Sequence, residues 1–241
     1  MPISFINGVP ALLVEGERVV VAGDLHIGIE AKFEESKISF PRATAKMAQE
    51  LVSICKANRS KSLVLLGDVK DSIGHVTLAE KSLIREFFSA LEGFEVRIAR
   101  GNHDAYLDTM LAEMGFDVEV SKEVLLEDVA LMHGNAMPSA DAVKKGYIAC
   151  GHGHIAASVN GTDSKAWLVA EVGEGMHRHY EEYNGAIRLV NAPAFNRLII
   201  GSRVGYGTEE HIPMLNNELF DFAHANFYDL YGNRISDRHR P

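Results

Sequence analysis

Five apolar runs in this chain each stop at a small polar cluster, and that recurrence limits the fold more than any other feature of the sequence. Val19–Ala22 leads into Gly23-Asp24-Leu25-His26, and Leu63–Leu66 into Gly67-Asp68. Val96–Ala99 passes through Arg100 into Gly101-Asn102-His103-Asp104, Val129–Met132 ends in His133-Gly134, and Tyr147–Cys150 ends in Gly151-His152-Gly153-His154. Short apolar runs bounded by turn residues read as buried strands. The carboxyl ends of such strands are where open α/β sheets gather ligand sites, because the loops there converge over a rigid edge.

Between these runs lie helix-length stretches at Pro41–Ala57, Thr77–Leu91 and Ala105–Met114, alternating with strands at Ser62–Leu66 and Glu95–Ala99. Strand–helix alternation predicts a parallel sheet. Before it, Ile3–Ile6, Ala11–Val14 and Arg18–Ala22 read as a β-meander; after Val118 short strands dominate, at Val124–Glu127, Val129–Met132, Tyr147–Cys150, Ala156–Asn160, Trp167–Val172 and Ala186–Val190. No repeat or Pro/Ser-rich linker divides the chain, so residues 1–241 are expected to form one domain: the polar strand-end motifs over 23–154, a β-rich part over 155–205 and a tail over 206–241. The end of that tail, Met214–Pro241, carries Phe220, Phe222, Phe227, Tyr228 and Tyr231 and suits either a short docked helix or an interface.

The 241 residues, 46% of them hydrophobic, suffice for a sizeable core. No run approaches the roughly 18 apolar residues of a membrane span and the first residues lack a signal-peptide pattern, so the expected address is the cytoplasm, with no membrane partner. Cys55 and Cys150 are too few and too far apart for a disulfide framework and read as buried apolar residues. A net charge of −9 argues against broad nonspecific duplex binding. Divalent cations reverse the field inside a cleft, so a nucleotide or nucleic acid remains a candidate substrate.

Composition alone yields an Asp-x-His triplet about 0.5 times in such a chain, a Gly-His-x-His roughly 0.04 times, and a Gly-Asn-His-Asp a few thousandths of a time. One strand-end Asp or His is ordinarily a cap or turn residue; the joint occurrence is what points to chemistry. Asp24, His26, Asp68, Asn102, His133, His152 and His154 form a set of oxygen and imidazole donors without a thiolate. Seven ligands exceed one tetrahedral ion and suit two ions sharing a carboxylate. Mixed N/O ligation favours Mn²⁺, Fe, Zn²⁺ or Co²⁺ over a bare Mg²⁺ site. Asp71 reads as a loop hydrogen-bonding partner, and His75, His211, His224 and His239, which lack paired spacing, as surface histidines. Gly151-His152-Gly153-His154-Ile155-Ala156 matches G-x-G-x-x-A only formally, since strand and turn follow it instead of a helix. Neither G-x-S-x-G nor a P-loop occurs.

The ordered series Asp24-x-His26, Gly67-Asp68, Gly101-Asn102-His103-Asp104, His133-Gly134 and Gly151-His152-x-His154 resembles the calcineurin-like metallophosphoesterases over residues 20 to 155. Further on, Asn191-Ala192-Pro193-Ala194-Phe195-Asn196-Arg197 followed by Gly201 resembles the ending of archaeal-type phosphoesterases related to the nuclease subunit of double-strand-break repair complexes. The first resemblance implies a four-layer α/β/β/α sandwich of two mixed β-sheets flanked by helices. It implies one ion held by Asp24, His26, Asp68 and His154, a second by Asp68, Asn102, His133 and His152, and Asp68 as the bridge. Mn²⁺ comes first, with Fe, Zn²⁺, Co²⁺ and Ni²⁺ as the other candidates. His103 would serve the substrate phosphate and leaving oxygen, with Asp104 fixing its orientation, while a hydroxide shared by the ions attacks. Arg100, Arg178 and His179 are candidate substrate contacts, against a salt bridge for the first and a solvated loop for the others. The expected reaction is hydrolysis of a phosphodiester, nuclease-like in kind. The alternatives are a phosphomonoesterase acting on nucleotides or phosphoproteins, and a non-catalytic protein-binding scaffold. The oligomeric state is open, a homodimer being one option.

Overall fold

The computed structural model describes residues 2–31, 43–159, 161–203 and 211–235. A meander of β1 (Ile3–Phe5), β2 (Leu12–Val14) and β3 (Val19–Ala22) opens the chain. It is followed by α1 (Ala43–Ala57), β4 (Ser62–Leu65), α2 (Leu78–Ala90), β5 (Glu95–Ala99), α3 (Leu107–Glu113) and β6 (Glu119–Ser121). These strands make one mixed sheet in the order β1-β2-β3-β4-β5-β6, antiparallel through the meander and parallel from β3 to β6.

The helices cover this sheet because their sequences present one apolar face. Met47, Ala48, Leu51, Ile54 and Cys55 recur at helical spacing along α1 and are all buried. Thr77, expected within the second helix, instead caps α2: its hydroxyl accepts from the Glu80 N–H at 3.1 Å.

The second half supplies β7 (Glu123–Leu125), β8 (Val129–Met132), β9 (Tyr147–Cys150), β10 (Ile155–Val159), β11 (Thr162–Lys165) and β12 (Trp167–Glu171). After them come α4 (Met176–His179), β13 (Arg188–Asn191), β14 (Ser202–Arg203), α5 (Pro213–Asn216) and β15 (Asn226–Tyr228). The second mixed sheet has the order β15-β12-β13-β9-β8-β7, with β8, β9 and β13 mutually parallel. A small third sheet, β11-β10-β14, stands beside it and was not expected from the sequence.

Alternation along the strands builds the layers. In β3, Val19 and Val21 face a core between the sheets, where they meet Leu131, Ala149, Trp167 and Val190 of the second sheet. Val20 and Ala22 point the other way, under α1 and α2. On the far side of the second sheet Ile148, Cys150, Leu168 and Leu189 are covered by Met176 of α4, Met214 and Leu215 of α5, and a 3₁₀ turn at Ala142–Lys144. The result is the expected mixed α/β sandwich, with a thin outer layer on the second sheet.

The aromatic tail departs from expectation. Besides the short helix α5 it forms β15, which pairs antiparallel with β12 so that Phe227 aligns with Leu168 and Tyr228 with Trp167. The tail therefore finishes a sheet edge, and three residues were too few to show alternation in the sequence. The segment around Arg178 and His179, weighed above as a solvated loop, contains α4. Pro41, Asn160 and the stretches 206–210 and 236–241 lie outside the described residues. Among the described residues no helix is long and apolar enough to cross a membrane, and both cysteines are free and buried.

Trp167 is fully buried between the sheets and stacks on Phe5 with ring centroids 4.4 Å apart. Trp167→Ala is expected to cost about 3–5 kcal/mol of stability, read as a lower denaturation midpoint in urea; an unchanged midpoint would contradict the inter-sheet core.

Candidate metal centre

Because β3, β4 and β5 run parallel, the turns that follow them emerge at one edge of the first sheet, carrying Asp24 and His26, Asp68, and Asn102 to Asp104. The parallel pair β8 and β9 likewise delivers His133, His152 and His154 from the second sheet. Hydrogen bonds stitch the two edges together. His133 Nδ1 lies 2.7 Å from the Leu66 carbonyl, and the His152 N–H donates to Asp24 Oδ2 at 3.1 Å. The approach is so close that glycine is required: a Cβ at Gly151 would stand 2.5 Å from Asp24 Oδ2, and one at Gly101 2.3 Å from the Asp68 backbone nitrogen.

The backbone at the site is strained. Asp24, His26, Asp68, His152 and His154 all have positive φ, between 40° and 67°. Among the described residues only four other non-glycine positions share that region. Each such residue costs on the order of 1–3 kcal/mol unless the surroundings over-determine it, so the concentration of five at one edge marks a place where side-chain direction outweighs backbone preference.

The side chains fall into two groups around Asp68. In the first, Asp24 Oδ1 is 3.1 Å from His154 Nε2, with His26 beside them. In the second, three lone-pair-bearing atoms converge on His133 Nε2: Asp68 Oδ2 at 3.3 Å, Asn102 Oδ1 at 3.2 Å and His152 Nδ1 at 3.1 Å. Asp68 Oδ2 also lies 3.7 Å from His26 Nε2 and 3.8 Å from His103 Nε2, so it stands between the groups. All seven donors singled out in the sequence are thus brought together.

Burial opposes charge on every group here, and the neighbours overcome it unequally. Asp24 and Asp68 are held below the usual carboxylate range, against burial, by His154 and His133 respectively. His133 is raised to about 9, against burial, by its contact with Asp68 and the charge of Asp24. His152 is pushed down to about 4 by burial and by the adjacent His133 charge.

The remaining expected residues divide. His103 sits over the Asp68 side of the site, but Asp104 does not orient its ring. The buried Asp104 carboxylate accepts from the N–H groups of Gly101 and Val69, both at 2.9 Å, and so locks the turn. The ring is held by the Asp71 carbonyl, 2.6 Å from His103 Nδ1. Arg100 is engaged by Asp108 at 2.8 Å, in the salt bridge weighed for it from the sequence. Arg178 pairs with Glu218, and it and His179 lie on the exposed side of α4.

Several contributors escaped sequence reasoning. The Asp71 carboxylate lies 3.4 Å from His26 Nδ1, so the loop partner read from the sequence also faces the site. Lys70 is fully buried, its ammonium donating to the carbonyls of Ser72 and His103; nothing in the sequence distinguishes it from a surface lysine. Lys165 Nζ donates to the Ala194 and Asn196 carbonyls at 2.5 and 2.6 Å, and Asn196 Nδ2 donates to the Leu25 carbonyl at 2.6 Å. The 191–197 motif noted in the sequence is therefore a brace for the Asp24 turn.

The arrangement fits divalent cations. Both ring nitrogens of buried His26 lack hydrogen-bond partners, and His154 Nε2 likewise, although Asp24 is near. Buried polar atoms are rarely left so. The donor atoms of Asp24, His26 and His154 lie within 4.8 Å of one another, as do those of Asp68, His133 and His152. Nitrogen and oxygen lone pairs aimed into a common space suit an ion bound by both.

Residues 17–204 match the family model described as calcineurin-like phosphoesterase. No curated protein matches the chain in sequence. Among solved structures, the Pseudomonas putida nuclease MPE superposes with a TM-score of 0.62 at 17% identity, covering 95% of this chain and 96% of the other, which shows a shared fold. YfcE, a phosphoesterase from E. coli, aligns with a TM-score of 0.43 at 16% identity over 90% of this chain and 96% of its own.

In metal-stripped protein His133 should titrate near pH 9 and His152 near pH 4. A folded-state pKa above the ordinary 6.5 makes the His133 contribution to stability complete below about pH 6.5. That contribution is lost as pH rises through about 9. Histidine NMR titration with a parallel pH series of melting temperatures checks this; a His133 midpoint near 6.5 would contradict the convergence on Nε2.

Proposed function

The chain belongs to the calcineurin-like phosphoesterase family, and on that footing we propose that it hydrolyses phosphodiesters, nuclease-like in substrate, with two divalent ions. The observation that carries the reading is the convergence of two donor groups on Asp68, with the ring nitrogens of buried His26 close to carboxylates yet without a hydrogen bond. Asp24, His26, Asp68 and His154 would hold one ion, and Asp68, Asn102, His133 and His152 the other, Mn²⁺ first among the candidates for such N/O sets. Bound there, the ions supply Lewis acidity toward phosphate oxygens and acidify a water for in-line attack.

The protein's own groups supply the rest. The His133 Nδ1–H donates to the Leu66 carbonyl, which fixes the tautomer and leaves Nε2 as the coordinating atom once its proton is gone. His103 donates from Nδ1 to the Asp71 carbonyl, so a proton taken up at Nε2 makes an imidazolium that passes it to the departing oxygen. Lys70 ties the His103 backbone to the Asp68–Ser72 loop and so keeps that ring over the reacting phosphate. Asp104 acts at one remove, by locking the turn that carries His103.

The preference for diesters is supported by the fold shared with a nuclease and by the 191–197 segment, whose resemblance to repair-nuclease relatives coincides with a structural brace on Asp24. The inter-sheet core, built from both halves of the chain, supports reading residues 1–241 as one domain.

Chelator-stripped protein restored with Mn²⁺ is expected to cleave bis-p-nitrophenyl phosphate faster than p-nitrophenyl phosphate. Faster monoester cleavage would replace the diesterase with a phosphatase, and no metal-dependent turnover of either would remove the hydrolytic reading. His103→Ala should keep both metals by elemental analysis while losing about 10²–10⁴ in kcat. Asp68→Asn should lose metal instead, and two filled sites in that variant would sink the bridging role.

A further inference from the structure

A groove of about 290 Å³ opens between Gly74–Val76 and Ala105–Glu113. Its walls are the outward continuations of the two loops that carry Asp68 with Asp71 and His103 with Asp104, joined by the bond from His103 Nδ1 to the Asp71 carbonyl. Three residues separate His103 from Tyr106, a span of at most about 11 Å. The groove therefore begins within one or two nucleotide steps of the reacting phosphate.

Tyr106 is the unexplained residue on this surface. It is 80% exposed and holds a left-handed backbone, with φ of 61°. A bulky aromatic residue in that conformation is a genuine outlier, and strain of this kind gathers where surroundings or function require it. Local structure does not ask for tyrosine: it occupies the N-cap of α3 without a side-chain capping bond. Mostly buried Met110 and half-buried Val76 give the groove an apolar lining. Lys81, His75 and Glu113 also line it. Ile73 and Leu78, 61% and 86% exposed, extend the apolar surface beyond the Gly74–Val76 wall.

We propose that this groove receives the nucleobase adjoining the scissile phosphate of a single-stranded nucleic acid, with Tyr106 as its stacking platform and Lys81 meeting a neighbouring phosphate. The inference rests on the phosphodiesterase reading above and names the substrate class of that site. It also resolves a difficulty of charge. A chain of net charge −9 repels a polyanion at long range, and base stacking, which is indifferent to sequence, supplies affinity without a basic surface.

The test uses the full chain with Mn²⁺ and three diesters that all release p-nitrophenolate: methyl p-nitrophenyl phosphate and the 3′- and 5′-(p-nitrophenyl phosphates) of thymidine. The wild type is expected to favour one thymidine ester over the methyl ester through KM. Tyr106→Ala should erase that preference by about fivefold to a hundredfold, and Tyr106→Phe should keep it. A preference that survives in Tyr106→Ala, or an equal loss on all three substrates, would overturn the subsite. If the wild type cleaved no diester, the phosphodiesterase reading would fail by itself. The groove would then be judged by fluorescence anisotropy with a labelled ten-residue oligothymidylate: at least fivefold weaker binding by Tyr106→Ala upholds it, and equal binding removes it.

Discussion

Everything at this strand edge depends on lone pairs that face one another. His133 Nε2 is approached by Asp68, Asn102 and His152 at 3.1 to 3.3 Å, and a positive charge must stand among them for the cluster to be stable. Without metal the charge is a proton, which is why burial fails to keep His133 neutral. The surrounding structure serves to hold this arrangement against its own repulsion. Five donors accept left-handed backbone conformations, glycines at 101 and 151 admit otherwise forbidden contacts, and Asp104 gives both carboxylate oxygens to backbone N–H groups, one of Val69 in the Asp68 loop and one of Gly101 in its own turn.

That arrangement also explains what was legible in the sequence. Strand ends such as Val19–Ala22 and Val129–Met132 showed themselves because apolar runs must stop where polar ligands begin, and the two facts reinforce each other along the chain. The donors were legible for the same reason, as residue types at turns. What escaped were roles set by three-dimensional contact alone. Lys70 looks like any lysine until its buried ammonium is found on the carbonyls of Ser72 and His103. His103 and Asp104 are neighbours in sequence, which suggests a pair, whereas the ring is held by the carbonyl of Asp71 from another loop. Strand β15 was hidden because a three-residue edge strand carries too little pattern to separate from a tail.

The brace formed by Lys165 and Asn196 shows how far support extends. Lys165 belongs to β11 of the small third sheet, yet it fastens the segment whose Phe195 N–H and Asn196 side chain bond to the Gly23 and Leu25 carbonyls. Burial pushes its ammonium down to about 8, a cost tolerated because the contacts are made. The motif at 191–197 therefore belongs to the architecture of Asp24.

Donors placed on both sheets bear on how the molecule comes into being. Asp24, Asp68 and Asn102 are synthesised long before His152 and His154, and the latter join them only when β9 has docked beside β8 and the sheets have closed on one another. A nascent chain that has reached β8 possesses carboxylates and His133 but lacks half of its imidazoles. The seven donors can therefore meet only at the end of assembly, and a chain still emerging from the ribosome cannot bring them together.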